Sequence, residues 1–374
     1  MANNYNIKLQ SPSFSAWSPG GEVSRQVAVM MSGGVDSSVT AHLLKEQGFE
    51  VVGITMQIPA ACNTGSRGCC GADAAFVCEQ LGICHYFVDV RLAFEQLIIE
   101  PFRKSYLEGQ TPNPCVDCNT LLKFSLVWDL LEKEFGIKYV ATGHYAQVIE
   151  NQGRYYLGRG KDKNKDQSYF LYGIGLDRLP GFILPLGGLA KQEVRAIASE
   201  LDLTVADKAE SMELCFAGEG DYRVALTVGQ ADMEGELTDM SGKVIGAHKG
   251  ISNYTIGQRR GLGYAGGEPL YVGKIDAGSN TVALGTRDEV SFSKVQAGQL
   301  NVLIAEEFTA GAKLFGKVRS YNDPLACTVV DVSESGVSVE FDEVLFAPTP
   351  GQKLVIYNEY DYIVAGGTIT KACK

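Results

Sequence analysis

Cys115 and Cys118 stand three residues apart in the stretch TPNPCVDCN, between prolines and asparagines. A C-x-x-C pair serves as half a zinc site, a redox disulfide, a cluster clamp or a reactive thiol with a neighbour. The pair alone does not choose. A second chemical stretch is MMSGGVDSSVT, where Ser32, Gly33 and Gly34 lead into Val35, Asp36, Ser37 and Ser38. Glycines let successive backbone N–H groups turn inward and join a helix N-terminus in holding an anion. The hydroxyls of Ser32, Ser37 and Ser38 add hydrogen bonds, and Asp36 beside a phosphate suits a Mg²⁺ ion held between them.

Elements must position these residues. From Gln26 the chain alternates apolar runs with amphipathic segments, the pattern of a parallel sheet covered by helices. QVAVMM, EVVGITM and CHYFVDV read as strands, with helices in SSVTAHLLKEQG and ADAAFVCEQLG. Helical stretches follow around Phe94 to Leu107 and Leu121 to Phe135, and IKYVATGHYAQV reads as one further strand. The expected fold is therefore α/β, a doubly wound parallel sheet over residues 26–205. Glycine-rich short β runs suggest a small mostly-β domain at 206–290, and alternating segments such as CTVVDV and GVSVEF suggest a C-terminal β-barrel at 291–374. Residues 1–25, polar and rich in Ser, Asn, Pro and Gly, read as a loose tail.

Lys and Arg total 33 against 44 Asp and Glu, a net charge of -11. That excludes nucleic-acid binding by bulk charge, so any RNA contact must use local patches. No run approaches the roughly 18 apolar residues of a membrane span, and the first residues carry no signal-peptide core. Ten cysteines in a protein expected to be cytoplasmic then read as thiols, ligands or nucleophiles, not as a disulfide framework.

The S-G-G-x-D-S string resembles the pyrophosphate loop of the N-type ATP pyrophosphatases, which adenylate a carbonyl oxygen. Five further strings, GQTPNPCVDCNTLLKF, ATGHYAQ, KDQSYFLYG, ESMELCFAGEGDY and HKGISNYTIGQRRGLG, resemble in this order the tRNA-specific 2-thiouridylases. With TPGQKLVIYN the resemblance runs from residue 26 nearly to the end. It implies ATP-dependent replacement of O2 of a wobble uridine by sulfur: adenylation, then displacement of AMP by a persulfide sulfur. The implied partners are tRNA of the Lys, Glu and Gln type and a sulfur-donor protein, either a cysteine desulfurase or a relay.

By the same matching, Cys215 would carry the persulfide, and Cys118 would release its sulfur by forming a disulfide with it or act as the nucleophile. ATP would contact Met31, Ser32, Gly33, Gly34, Val35, Asp36, Ser37, Ser38, Met56 and Gly143. Asn113, Pro114 and Cys115 would line the target-base pocket, and His144, Lys165, Asp166, Gln167, Arg259, Arg260 and Gln352 would meet the tRNA. In GKVRSYNDP the match falls among Arg319, Ser320 and Tyr321.

Two alternatives stay open. Cys115, Cys118 and Cys215 could instead hold a 4Fe-4S cluster by three irons, leaving the fourth free to bind sulfide. The chain could also be another ATP pyrophosphatase acting on a small acceptor, which would have no use for Cys118 with Cys215. Cys62, Cys69 and Cys70 offer a further metal site, although their spacing fits no zinc pattern.

Overall fold

Every residue of the run QVAVM is buried, as a strand covered on both faces must be. The computed structural model that shows this describes all residues except 1–4, 11, 13–16, 18–24, 60–69, 210–213, 217–225, 227–232 and 265. Contacts divide the chain into two units, Met1–Ile98 with Cys115–Gly220 and Ile99–Pro114 with Asp221–Lys374.

The first unit opens with β1 (Lys8–Leu9), β2 (Gln26–Met30), α1 (Val35–Glu46), β3 (Glu50–Gln57), α2 (Cys70–Leu81), β4 (Cys84–Asp89) and α3 (Arg91–Phe94). After α4 (Glu100–Leu107), which belongs with the second unit, come α5 (Pro114–Asp117) and a π-helical run, Cys118–Val127. There follow α6 (Trp128–Phe135), β5 (Tyr139–Ala141), β6 (Ala146–Asn151), β7 (Arg154–Arg159), β8 (Phe182–Ile183) and α7 (Lys191–Glu200). The main sheet has the order β1-β4-β3-β2-β5-β8, parallel throughout except at β1. From β2 the chain first winds toward β3 and β4, then returns to β5 and β8 on the other side. The switch between β2 and β5 is where such sheets bind ligands, at the carboxyl ends of the strands. Beneath it α1 and α7 bury Val39, Leu44, Val194 and Ala198.

The second unit holds a four-stranded sheet, order β10-β9-β12-β11, built from β9 (Gly235–Asp239), β10 (Val244–His248), β11 (Tyr271–Asp276) and β12 (Thr281–Gly285). It also holds a closed barrel of β13 (Ser291–Val302), β14 (Lys313–Lys317), β15 (Leu325–Ser333), β16 (Gly336–Phe346), β17 (Lys353–Tyr357) and β18 (Ile363–Cys373). Its order is β13-β16-β15-β14-β17-β18, and closure removes the free edges that invite pairing with other chains. The expected fold class therefore stands: doubly wound α/β, then a small β sheet, then a β-barrel.

Three local expectations do not. The tail is not loose throughout: Lys8 and Leu9 pair with Asp89 and Val88, and Ile7 is buried, so its few apolar residues extend the sheet. IKYVATGHYAQV is not one strand, because β5 stops at Ala141 and β6 joins β7 in a separate two-stranded sheet. The helix expected from Leu121 begins at Pro114, a residue preorganised for the first helical turn, so both cysteines of C-x-x-C lie on helical backbone.

His85, fully buried on β4, shares a 2.8 Å hydrogen bond with the Thr55 hydroxyl, which itself donates to Met31 O. Burial lowers its pKa from 6.5 to about 4. The unfolded chain binds the proton more readily, so this contribution is fully present above pH 6.5 and fades as pH falls toward 4. We expect the wild type to lose about 3 kcal/mol more than His85→Gln between neutrality and that lower limit, measured by chemical denaturation. Equal losses would contradict a buried neutral imidazole.

Candidate functional site

The loop after β2 is built from its own hydroxyls. Met31 N donates to Ile54 O at 2.8 Å, and Gly33 turns the chain at φ 70°, a left-handed conformation that glycine adopts without a Cβ clash. Ser37 Oγ accepts from Ser32 N at 3.2 Å and donates to Gly34 O at 3.1 Å. Ser38, fully buried, directs its hydroxyl to Gly34 O at 2.9 Å, so it shapes the loop and does not face a ligand. Ser32 is the exposed hydroxyl. Lys208 Nζ closes the loop from outside, donating to Gly33 O at 2.9 Å and to Asp73 at 2.5 Å.

Asp36, in the first turn of α1, accepts three hydrogen bonds from two side chains. Lys191 Nζ lies 2.7 Å from each carboxylate oxygen, and the Tyr145 hydroxyl donates to Oδ1 at 2.8 Å. The Lys191 ammonium also sits 5.5 Å from the centre of the Tyr145 ring. Mg²⁺ is usually held by one or two carboxylates together with substrate phosphates. A single carboxylate beside an anion cradle fits that demand, although Lys191 holds it here.

Gly143 explains why β5 and β6 are separate strands. A Cβ there would come within 2.8 Å of Asp36 C and 2.9 Å of Ser37 N, so only glycine lets this backbone cross the start of α1. His144 follows it, its Nδ1 3.0 Å from the Thr142 hydroxyl. Desolvation, reinforced by Lys123, holds its pKa down to about 3, so the imidazole is neutral. Met56 is half-buried at the end of β3, across the same switch.

The thiols gather in the same unit. Cys118 is buried, Cys115 and Cys215 are exposed, and all three are free. Phe216 anchors the Cys215 backbone by packing its ring 5.8 Å from that of Phe94. Burial pushes Cys118 up to about 11 and Cys215 up to about 12, and it raises Cys115 as well. Cys118 and Cys115 raise Cys215 further, whereas Lys123 lowers all three thiols. Lys123 is held by Asn119 Oδ1 at 3.1 Å, and Asn119 Nδ2 reaches Phe170 O at 3.0 Å. The π-helical run carries Cys118, Asn119 and Lys123 together, in keeping with the frequency of such turns at functional sites.

A cluster held by three thiolates would need those sulfurs to converge. Among the described residues no three Cys, His, Asp or Glu side chains are disposed to hold a metal ion, so this arrangement does not fit the cluster. Cys62, Cys69 and the side chain of Cys70 lie outside the described residues.

The residues expected to meet RNA divide sharply. Lys165 and Gln167 are half-buried, but the Asp166 side chain is wholly enclosed. Its Oδ2 accepts from Arg159 Nε at 3.1 Å, and its Oδ1 accepts from the backbone of Gly160 and Ser168, each at 3.1 Å. That carboxylate faces inward and braces the loop, an orientation that the polar composition of the segment does not reveal. In the second unit Arg259 and Arg260 are exposed, and Tyr321 is 76% exposed. Ser320 is half-buried. Arg319 instead braces the fold, donating from Nη2 to Ile256 O, Ala347 O and Thr349 Oγ1. Gln352 Nε2 donates to Thr111 O at 3.0 Å and approaches Pro112 O at 3.4 Å, which holds the segment leading to half-buried Asn113 and buried Pro114.

Sequence reasoning did not find Tyr145, Lys191, Lys123 or Lys208. Tyr145 and Lys191 lie 109 and 155 positions from Asp36, and no local pattern announces such partners. Lys123 sits four residues after Asn119, a helical spacing that a search for cations near the cysteines would have caught. Among the described residues, no helix is long and apolar enough to cross a membrane.

Residues 25–219 match a tRNA methyl transferase HUP domain, 225–286 a tRNA methyl transferase PRC-barrel domain, and 292–369 an aminomethyltransferase beta-barrel domain. The chain is 43% identical over 355 residues to a Pelotomaculum thermopropionicum protein named tRNA-specific 2-thiouridylase MnmA, covering 92% of this chain and 97% of that one. A Clostridium botulinum protein of the same name is 41% identical over 359 residues, covering 93% and 98%. A solved U34-tRNA thiolase, NcsA from Methanococcus maripaludis, is 21% identical over 51% of this chain and 61% of its own. Its TM-score of 0.33 carries no argument about the chemistry here. Identity of this extent over nearly the full length of both relatives places the chain in the tRNA-specific 2-thiouridylase family.

Proposed function

We propose that this chain replaces O2 of the wobble uridine of tRNA by sulfur, consuming ATP, through adenylation at the Asp36 loop and sulfur transfer at Cys118 and Cys215. One observation carries the reading. Gly143 packs on Asp36 of the nucleotide loop, and the next residue, His144, sets its ring 6.1 Å from that of Phe124, on the π-helical run that begins at Cys118. The loop at Asp36 and the helical run that carries Cys118 thus meet two consecutive residues at the switch point of one sheet.

An amide-like oxygen leaves poorly until it is adenylated. The uridine O2 attacks the α-phosphorus of ATP and pyrophosphate departs; the loop N–H groups and the exposed Ser32 hydroxyl receive the phosphates. Mg²⁺ bound by Asp36 would neutralise phosphate charge. A sulfur-donor protein charges Cys215 as a persulfide. The terminal sulfur attacks C2 of the adenylated base, AMP leaves with the former O2, and the Cys118 thiolate attacks Cys215 Sγ to free the thiocarbonyl. The disulfide so formed is reset by an external thiol. Both thiols are protonated near neutrality as they stand, and Lys123 is the cation that favours their ionised forms. Asn113, Pro114 and Cys115 line the base pocket. Lys165, Gln167, His144, Arg259, Arg260 and Tyr321 meet the RNA, which the chain encounters in the reducing cytoplasm. The cluster alternative would require Cys115, Cys118 and Cys215 to close on one another.

Asp36→Ala tests the nucleotide half. We expect RNA-dependent pyrophosphate release to fall on the order of 10²-fold, the loss typical of one charge-stabilising group. Persulfide loading of Cys215, read by mass spectrometry, should be unchanged. Pyrophosphate release at the wild-type rate would remove Asp36 from the mechanism.

A further inference from the structure

Tyr145 touches both halves of the first unit's site. Its hydroxyl donates to Asp36 Oδ1 at 2.8 Å, while its own backbone is gripped by Gln167. Gln167 Oε1 accepts from Tyr145 N at 3.0 Å, and Gln167 N donates to Tyr145 O at 2.8 Å. The ring is 2% exposed. Gly160, which precedes the 161–165 loop, packs its Cα side on Tyr145 O, where a Cβ would lie at 2.7 Å. Lys191 closes the circuit. Its Nζ holds Asp36, and its backbone N donates to Asp162 Oδ2 at 3.1 Å. An open depression of about 570 Å³ beside it is lined by Lys161, Lys163, Lys165 and Lys191 together with Asp162, four cations to one carboxylate, a surface suited to phosphates.

From this geometry we infer that Tyr145 is a positioning residue that couples RNA engagement to metal–nucleotide binding. The inference rests on the reading that Gln167 meets RNA and Asp36 meets the metal–nucleotide. In the structure Tyr145 and Lys191 hold the Asp36 carboxylate, so a cation binding there competes with an ammonium already in place. RNA that draws the Gln167 amide away from Tyr145 N and places phosphates among the lysines loosens both holds. Asp36 then turns to the cation, and the nucleotide binds more tightly only when RNA is present.

Calorimetry with the full chain tests this, using Mg²⁺, α,β-methylene ATP and an unmodified tRNA transcript with a wobble uridine. In the wild type, RNA should tighten nucleotide binding by roughly 5- to 150-fold, and nucleotide should tighten RNA binding by the same factor. Tyr145→Phe keeps the ring and should bring both factors near one while each ligand still binds alone. Gln167→Ala cuts the circuit at its other end and should also bring the coupling factor near one, with nucleotide alone bound as in the wild type and RNA alone bound more weakly, because a group that meets RNA is lost. A wild-type factor of one, an unchanged factor in Tyr145→Phe, or loss of nucleotide binding by Tyr145→Phe would each overturn the inference. Failure of the wild type to bind either ligand singly would instead sink the functional reading beneath it.

Discussion

Cys215→Ala is expected to leave RNA-dependent pyrophosphate release near the wild-type rate while thiolated tRNA falls on the order of 10⁴-fold, the scale on which removal of a covalent participant acts. The reason is a division of labour within one unit. The loop around Asp36 makes its contacts through its own serines, Lys191 and Tyr145, and none of these involves Cys215. Cys118→Ser should give the same pattern, because the relay requires two sulfurs to make the disulfide that frees the product. The double variant should lose no more than either single one, since residues that act in sequence on one sulfur atom are not additive. Anaerobic iron and sulfide analysis of the wild type and Cys115→Ala belongs with this experiment. A relay predicts an iron-free protein that still thiolates; iron that disappears with Cys115 would transfer all three cysteines to a cluster.

Asp166→Ala is expected to lower folding stability by about 3–5 kcal/mol, the usual result of breaking a buried charge pair by removing one partner. Its side chain is 0% exposed and that of Arg159 is 8% exposed. The substitution takes the carboxylate away from that guanidinium and also strands the Gly160 and Ser168 amides it accepts from. Asp166→Asn keeps one acceptor oxygen and should fall between. The measurement is the denaturant midpoint at constant slope. A stable Asp166→Ala protein that had lost only its affinity for RNA would show the carboxylate to be a recognition group after all.

Asp166 also shows where reading a sequence runs out. KDKNKDQ has the composition of a solvated loop, and which of its polar side chains turns inward depends on Arg159 arriving from β7. The strand–turn–helix that carries Asp36 was legible because its parts are contiguous: strand, glycines, acid, serines and helix follow one another within a few residues. The alternation of buried strands and helices was legible for the same reason. The separation of β5 from β6 was not, because it arises from the close approach of Gly143 to Asp36, residues far apart in the chain. Nor was the ammonium on Asp36. Lys191 opens a helix of its own with ordinary surface composition, and only the packing of α7 against α1 brings it to the loop. Cys118 and Cys215 could be paired by resemblance, yet Lys123, the cation acting on both, needed the π-helical run to bring it among the thiols.

The most direct test is nucleoside mass analysis of a tRNA transcript with a wobble uridine after incubation with the pure protein, ATP, Mg²⁺ and a persulfide donor. The account predicts 2-thiouridine at that position, with one AMP and one pyrophosphate for each sulfur incorporated, and none of it without ATP or with Cys215→Ala. Thiolation without ATP, or ATP cleavage that never yields 2-thiouridine on this RNA, would contradict it.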